Sequence, residues 1–97
     1  MIVRVFRARF RPGKLEEWTK LVKKHSVPLV KSGAGLIAYY PGNSVDPKTR
    51  EYTMVTVWKD LDSLKAWAGA NWREAVIPEE EIPLIEESWV HNYEVYE

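Results

Sequence analysis

The 97-residue sequence predicts a single α+β domain, residues 1–97, with the ferredoxin-like order βαββαβ. Three observations favour this fold. Segments with alternating apolar residues, which are typical of strands, occur at the start, in the middle and at the end of the chain. Two segments with apolar residues at spacings of three and four, which are typical of helices, lie between the strands. The connections are short, so consecutive elements are expected to pack as neighbours.

The first strand is predicted over Ile2–Phe10, with Val3 and Val5 on one face and Phe6 on the other. From residue 14 the spacing becomes helical, and one apolar stripe consists of Leu15, Trp18, Val22, His25 and Leu29. Pro28 predicts a kink in the last turn. Residues 32–35 contain two glycines, which predicts a helix end with a glycine in the left-handed conformation.

The second and third strands are predicted over residues 36–40 and 51–58, as an antiparallel hairpin with a long polar loop. A second helix then begins with Asp60 or Asp62 as its N-cap. Its apolar stripe extends to Ala75 and Pro78 ends it. A turn and a short helix are expected around residues 83–87, and residues 89–96 alternate again as the fourth strand.

Right-handed crossovers place both helices on one face of a four-stranded antiparallel sheet. The other face would be bare in a monomer, and the residues expected on it are Val3, Val5, Val55, Val57 and Val90. A contiguous apolar face usually marks an association surface, so a homodimer through the open sheet face is predicted. The composition supports this, because five Trp, five Tyr and two Phe carry a large apolar surface for a small chain to bury on its own.

Composition excludes several classes of function. The 14 basic and 14 acidic residues balance, which is unlike a nucleic-acid-binding protein. The sequence has no Cys and therefore no disulfide or thiolate site, and it has only two His, so no metal site is expected. No apolar run approaches the roughly 20 residues of a membrane span. Met1 leads directly into a strand without a signal peptide, so a cytoplasmic location is the expectation.

The segment from Val57 to Trp67, Val-Trp-Lys-Asp-Leu-Asp-Ser-Leu-Lys-Ala-Trp, resembles the third strand and second helix of the antibiotic biosynthesis monooxygenase family. Residues 69–81 and the strand that ends at Tyr96 resemble a bacterial branch of it. The resemblance implies a dimeric α/β barrel with a pocket in each subunit between helices and sheet. It also implies oxidation of aromatic polyketides or quinols by dioxygen without a cofactor.

Four residues are candidates for catalysis. Trp67 matches a pocket aromatic of the family and could stack on a flat substrate and donate its indole N–H. Asn71 lies four residues later, although the family's Asn precedes its Trp, and Arg73 could stabilise a phenolate or an oxygen anion. His25 interrupts the apolar stripe of the first helix and could act as a general base. Each also has a structural explanation, as a core residue or as a surface residue.

The pocket wall is expected to include Phe6, Tyr39, Met54, Trp58 and His91 as substrate-binding residues. His91 belongs to this set only if its face of the last strand points towards the helices.

Three functions follow as hypotheses. The first is a cofactor-independent monooxygenase that oxidises a small aromatic, such as an anthrone or a quinol, in an apolar pocket. The second is a small-molecule-binding dimer without catalysis. The third is haem binding and degradation, which the residues favour least. Haem-degrading relatives have an Asn on the first strand and a His late in the second helix, and the matching positions here are Phe6 and Val76 or Ile77.

Overall fold

The computed structural model describes all 97 residues and has the predicted ferredoxin-like fold. Its elements are β1 (Ile2–Phe10), α1 (Leu15–Leu21), a π-helical turn (Val22–Ser26), α2 (Val27–Lys31), β2 (Leu36–Asn43), β3 (Glu51–Trp58), α3 (Leu61–Ala68), a 3-10 turn (Glu79–Leu84) and β4 (Ile85–Glu94). A further short 3-10 turn, Pro47–Thr49, lies in the loop before β3. No helix in the structure is both long and apolar enough to cross a membrane.

The four strands form one antiparallel sheet in the order β2-β3-β1-β4. The predicted bounds of β1 and β3 are confirmed. β2 continues past its predicted end and includes Pro41, which is tolerated because β2 is an edge strand. β4 begins earlier than predicted, at Ile85, because the expected short helix is a 3-10 turn that has already ended at Leu84.

The core lies between the sheet and the helices. The side chains on this face of the sheet include Phe10, Tyr52 and Met54, which pack against Trp18 and Val30 of the helices. The rings of Trp18 and Tyr52 meet edge to face with centroids 5.3 Å apart. A second cluster joins Ile2, Trp58 and Leu64. These contacts hold the first helix and α3 side by side above the sheet.

The first helix consists of α1, the π-helical turn and α2. It is irregular, and the irregularity changes which of its residues face the sheet. Trp18, Val22 and Val30 are buried, and Ser26 hydrogen-bonds to a buried carboxylate. Their spacing of four residues, rather than the regular 3.6, follows from the wider π-helical turn at Val22–Ser26. The prediction that His25 lies on the buried stripe is therefore wrong, and Ser26 takes that place.

The glycines after α2 are needed for close packing, and the predicted left-handed conformation is wrong. The positive-φ glycines of the chain are Gly13 and Gly69. A Cβ atom on Gly33 would collide with the ring of Trp58, and one on Gly35 would collide with Ser63. The chain can therefore pass this close to Trp58 and Ser63 only because residues 33 and 35 have no side chains.

The second helix is shorter than its apolar spacing predicts. Asp60 is the N-cap, as expected, and its carboxylate accepts a 2.8 Å hydrogen bond from the N–H of Ser63. The helix ends at Ala68, because Gly69 follows with φ 87° and leaves the helical conformation. The predicted continuation to Ala75 is wrong, and residues 70–78 form an irregular segment that we call the cover segment.

The open face of the sheet, away from the helices, carries outward side chains from all four strands. Val3 pairs with Val57, and Val5 pairs with both Val55 and His91, so these residues share the face away from the helices. The prediction that Val90 lies on the open face is wrong, because Val90 pairs with Phe6 and therefore lies on the helix face. Trp89 also lies on the open face, with the guanidinium carbons of Arg7 and Arg9 5.1 and 5.5 Å from its ring centroid.

Candidate functional site

A cavity lies between the sheet and the helices, beneath the cover segment. Its volume is about 30 Å³. It is therefore narrow, and a ligand would have to displace side chains to enter. The lining residues are mostly apolar: Arg4, Phe6, Ser26, Leu29, Val30, Tyr52, Met54, Thr56, Trp67, Val76, Ile77 and Glu81.

The floor of the cavity is formed by five of the six residues of three cross-strand pairs, all except Ala8. Arg4 pairs with Thr56, Phe6 with Met54, and Ala8 with Tyr52. Because side chains on one face of a strand recur every second residue, these pairs are consecutive rows. The floor is therefore polar in its first row, apolar in its second, and carries a phenol in its third.

Arg4 is the buried cation of the site, with only 3% of its surface exposed. It donates from Nη1 to the carbonyl oxygen of Trp72 (2.7 Å) and to Oδ1 of Asn92 (3.2 Å), and from Nη2 to the carbonyl oxygen of Glu74 (2.7 Å). Arg4 forms no salt bridge. Burial lowers the pKa of Arg4 to about 10, so the guanidinium is still charged at neutral pH. A charged donor without an acidic partner is thus fixed at one end of the cavity.

Glu81 and Tyr52 are the titratable groups at the other end. Glu81 is 2% exposed, and its Oε2 accepts a 2.6 Å hydrogen bond from the hydroxyl of Ser26. Burial raises the pKa of Glu81, against the opposing effects of that hydrogen bond and of the charge on His25. Burial and the charge on Glu81 raise the pKa of Tyr52, whose hydroxyl is buried without a hydrogen-bond partner. A buried carboxyl group with a raised pKa and a phenol without a hydrogen-bond partner are therefore both part of the cavity lining.

Trp67 lines the cavity from α3, and its indole N–H is already in use. The N–H donates to the carbonyl oxygen of Leu29 at 2.9 Å, which ties α3 to α2. The expectation that this N–H serves a substrate does not fit the geometry. The ring face remains, 5.8 Å from the guanidinium carbon of Arg4 and 5.1 Å from the ring of Trp58.

His25 lies beside the cavity and does not line it. Its Nδ1 is 3.8 Å from Oε2 of Glu80, and its side chain is 24% exposed. It therefore influences the site through charge, since a protonated His25 favours ionised Glu81.

Asn71 and Arg73 lie outside the cavity, on the exposed side of the cover segment. The expected helical relation between Trp67 and Asn71 is wrong, because the helix has ended before residue 71. The guanidinium carbon of Arg73 lies 4.1 Å from the ring centroid of Trp72, so its charge covers a surface Trp.

The expected wall residues separate into three groups. Phe6 and Met54 line the cavity. Tyr39 and Trp58 lie on the helix face but behind the lining: Tyr39 packs on the core, and Trp58 supports Trp67 and donates its N–H to Thr56 at 2.8 Å. His91 lies on the open face and points away from the helices, so it is not part of the cavity wall.

Sequence reasoning missed Arg4, Tyr52, Glu81 and Ser26. The inward direction of Arg4 could have been predicted, because Arg4, Phe6 and Ala8 alternate along the strand and therefore lie on the same face. Glu81 had no such signal, since it sits in a run of acidic residues, Glu79–Glu81, whose other members are exposed. Ser26 faces the cavity only because of the π-helical turn.

The site offers proton transfer and anion stabilisation in an apolar space. No group of three or more His, Cys, Asp or Glu side chains is placed to hold a metal ion. The cavity lining includes no His.

Solved structures with this fold are numerous. A protein from Nitrosomonas europaea assigned to the antibiotic biosynthesis monooxygenases has a TM-score of 0.75 and 16% identity, covering 98% of each chain. A protein from Shewanella oneidensis has a TM-score of 0.75 and 23% identity, covering 95% of this chain and 87% of that one. A variant of MhuD with two manganese protoporphyrin IX molecules bound per active site has a TM-score of 0.73 and 21% identity, covering 98% and 94%. At these identities the likeness shows the fold alone.

No curated protein matches the sequence significantly. The family model of the antibiotic biosynthesis monooxygenases, in contrast, matches residues 1–76, which include three of the four strands and all three α-helices. The chain therefore belongs to the antibiotic biosynthesis monooxygenase family.

Proposed function

We propose that this protein is a cofactor-independent monooxygenase that oxidises a small aromatic, such as an anthrone or a quinol, with dioxygen. The observation that carries the proposal is the combination, in one apolar cavity, of a buried carboxyl group (Glu81) and a buried cation without an acidic partner (Arg4). An activated aromatic reacts with dioxygen once it is deprotonated. A base and an anion-stabilising donor are therefore what the protein has to supply.

Glu81 is the base in this proposal, in the place that the sequence suggested for His25. Its raised pKa brings it closer to the working pH, which improves proton transfer. His25 acts through Glu81, by favouring the ionised carboxylate when it is protonated. The flat substrate lies against the rings of Trp67 and Phe6.

For an anthrone, the ring methylene loses one proton to Glu81, and the resulting carbanion gives one electron to dioxygen. The carbon radical and superoxide combine into a peroxide anion, which takes the proton back from Glu81. The resulting hydroperoxide loses water and leaves a ketone. One methylene and one dioxygen thus become one carbonyl and one water. Dioxygen is the only oxidant that the reaction needs.

Oxygen uptake by purified protein with a panel of anthrones and hydroquinones tests the proposal. Heat-inactivated protein measures autoxidation, and Glu79→Gln is the matched control, because Glu79 is exposed in the same 3-10 turn. Glu81→Gln is expected to lower the enzymatic rate by roughly 10²-fold or more, and His25→Ala by less. Uptake no higher than autoxidation on every compound would reject turnover, and equal rates for Glu81→Gln and wild type would reject Glu81 as the base.

The second candidate is small-molecule binding without turnover. The small volume of the cavity, about 30 Å³, favours it. A ligand would then be enclosed by movement of the cover segment, and no oxygen would be consumed. Saturable binding of a non-oxidised panel compound distinguishes this candidate from an inactive fold.

Haem chemistry does not fit the residues present. The positions that would carry the haem-degrading Asn and His are Phe6 and Val76 or Ile77, which line the cavity as apolar groups. His25 lies outside the lining, and His91 lies on the opposite face of the sheet. A haem titration is therefore expected to give no Soret shift.

We also propose that two chains pair through their open sheet faces. Val3, Val5, Val55 and Val57 form adjacent cross-strand pairs on that face and are only half-buried in one chain. A second copy would cover them, and the neighbouring Trp89, with apolar surface. The cavity on the other side of the sheet would remain open to its ligand.

A further inference from the structure

We propose that the ligand of this cavity is a flat molecule with a charge-bearing oxygen at one edge and a hydroxyl or acidic C–H group at the opposite edge. The inference rests on the proposed function, since it names the class of substrate that the same cavity takes. It is argued from the placement of Arg4 at one end and of Tyr52 and Glu81 at the other.

The Arg4 end can take a further acceptor. The guanidinium has five N–H donors, and its three hydrogen bonds leave two of them without a partner in the protein. The three acceptors are neutral, so the buried positive charge is not balanced by an acid. A ligand oxygen that carries negative charge would supply the missing partner and would form a charge-assisted hydrogen bond.

The Tyr52 end requires a group that can both donate and accept. The Tyr52 hydroxyl has no partner although the residue is 4% exposed, which is a costly arrangement that a ligand would correct. Ser26 occupies only Oε2 of Glu81, so Oε1 is free to accept a proton or a hydrogen bond. A hydroxyl, or an acidic C–H group about to lose its proton, matches this pair.

The two ends are separate. Residues 52 and 56 lie on the same face of β3, about 13 Å apart along the strand, and Met54 lies between them next to Phe6. The charge on Glu81 acts on Tyr52, whereas the pKa of Arg4 is changed by burial alone. A ligand that meets both ends therefore has its polar groups on opposite edges, with an apolar ring system between them.

This arrangement selects substrates in which the acidic proton and the oxygen that receives the negative charge lie across a ring from each other. In an anthrone, the methylene and the carbonyl are placed in this way. Glu81 would remove the proton at one edge while the charge moves through the ring to the oxygen at Arg4. Isomers with both groups on one edge would leave one end of the cavity unpaired.

Calorimetric titration with three ligands tests the inference: 6-hydroxy-2-naphthoate, which has both groups, and 2-naphthoate and 2-naphthol, which have one each. Wild-type protein is expected to bind 6-hydroxy-2-naphthoate about tenfold more tightly than either relative, the effect of one well-made hydrogen bond to a buried group. Equal affinities for all three ligands, or no binding of 6-hydroxy-2-naphthoate, would overturn it.

Variants assign the ends. Tyr52→Phe is expected to weaken 6-hydroxy-2-naphthoate about tenfold and to leave 2-naphthoate unchanged, because only the first has a hydroxyl for this end. Arg4→Lys should weaken both carboxylates and leave 2-naphthol unchanged. Tyr40→Phe is the control, since Tyr40 is exposed and lies away from the cavity. A Tyr52→Phe variant that weakens all three ligands alike would overturn the inference.

The test is independent of turnover, because binding is measured without oxygen uptake. Two-ended binding together with no oxygen uptake on any panel compound would support this ligand class and reject the oxygenase. Oxygen uptake together with equal affinities for the three ligands would support the oxygenase and reject this ligand class.

Discussion

The side chain of Arg4, on the first strand, holds the main chain of Trp72 at 2.7 Å across 68 residues of sequence. A second bond, to the carbonyl oxygen of Glu74, is equally short. Between them these bonds fasten the cover segment over the cavity, where no helix or strand is available to do so. Arg4 is thus both a wall of the site and the attachment of its cover.

Arg4→Met is expected to loosen the cover segment more than the domain. Met keeps the apolar stem but loses all three hydrogen bonds of the guanidinium, so trypsin should cleave faster after Arg73, within the segment. Timed digestion with mass spectrometry measures this rate. Cleavage after Lys48, in a distant loop, is the internal reference for general unfolding.

Arg7→Met is the matched control, because Arg7 is on the same strand but exposed, paired with Glu51. It removes the same number of tryptic sites. Equal acceleration at Arg73 in both variants would mean that Arg4 does not fasten the cover.

Glu81→Gln is expected to raise the free energy of unfolding, relative to wild type, by more at neutral pH than at acidic pH. Burial raises the pKa of Glu81 in the folded state above its ordinary value of 4.5. The folded state then binds more protons than the unfolded state, so the wild-type free energy of unfolding falls as the pH rises from about 4.5 through the raised pKa. Gln cannot ionise, and its oxygen can still accept from Ser26.

Urea unfolding at pH 4, pH 5.5 and pH 7.5 gives the free energies for this comparison. The difference between Glu81→Gln and wild type should grow with pH. Ser26, His25, Glu80 and Tyr52 surround the carboxyl group and are present in both proteins. An exposed control, Glu79→Gln, should show no such trend, and a flat difference for Glu81→Gln would contradict the buried, proton-binding carboxyl.

Gly33→Ala is expected to lower the free energy of unfolding by about 1–3 kcal/mol, the usual effect of forcing atoms into a packed site. The new Cβ would collide with the ring of Trp58, which is fully buried and supports Trp67. Gly42→Ala is the control, because its nearest neighbour is the Cγ2 of Thr53 at 3.9 Å, an ordinary contact. Chemical unfolding of both variants checks this, and equal losses would mean that Trp58 moves aside freely.

Val55→Glu is expected to convert the proposed dimer into a monomer. The charge would lie in the middle of the open sheet face, opposite Val5. Light scattering coupled to size-exclusion chromatography should find a mass near 11.3 kDa for the variant and twice that for wild type. Val45→Glu introduces the same charge in a fully exposed loop and should leave the dimer intact. A monomeric wild type would refute the association surface.

The sequence was sufficient for the fold because its strands alternate clearly and its connections permit few arrangements. β1 and β3 were predicted to the residue, and strand alternation also places Arg4 inward. Helix periodicity was less reliable. It extended α3 to Ala75 although Gly69 ends it, and it placed His25 on the buried stripe although the helix widens there.

The candidate site was predictable only in part for the same reason. Phe6, Met54 and Trp67 lie in regular elements and line the cavity. Glu81 lies in an irregular segment, where only tertiary packing separates it from exposed Glu79 and Glu80. Such a residue has no periodic pattern to reveal it. Its carboxylate accepts a hydrogen bond from Ser26, which lies 55 residues away in the sequence.

The π-helical turn at Val22–Ser26 works as a phase shift between two halves of one helix. Trp18, before the turn, lies in the core, whereas Ser26, at the end of the turn, and Leu29, after it, line the cavity. Changes before the turn should therefore register mainly as stability, and changes after it as ligand preference. The single extra residue in that turn allows one short helix to serve as scaffold along its first half and as binding surface along its second.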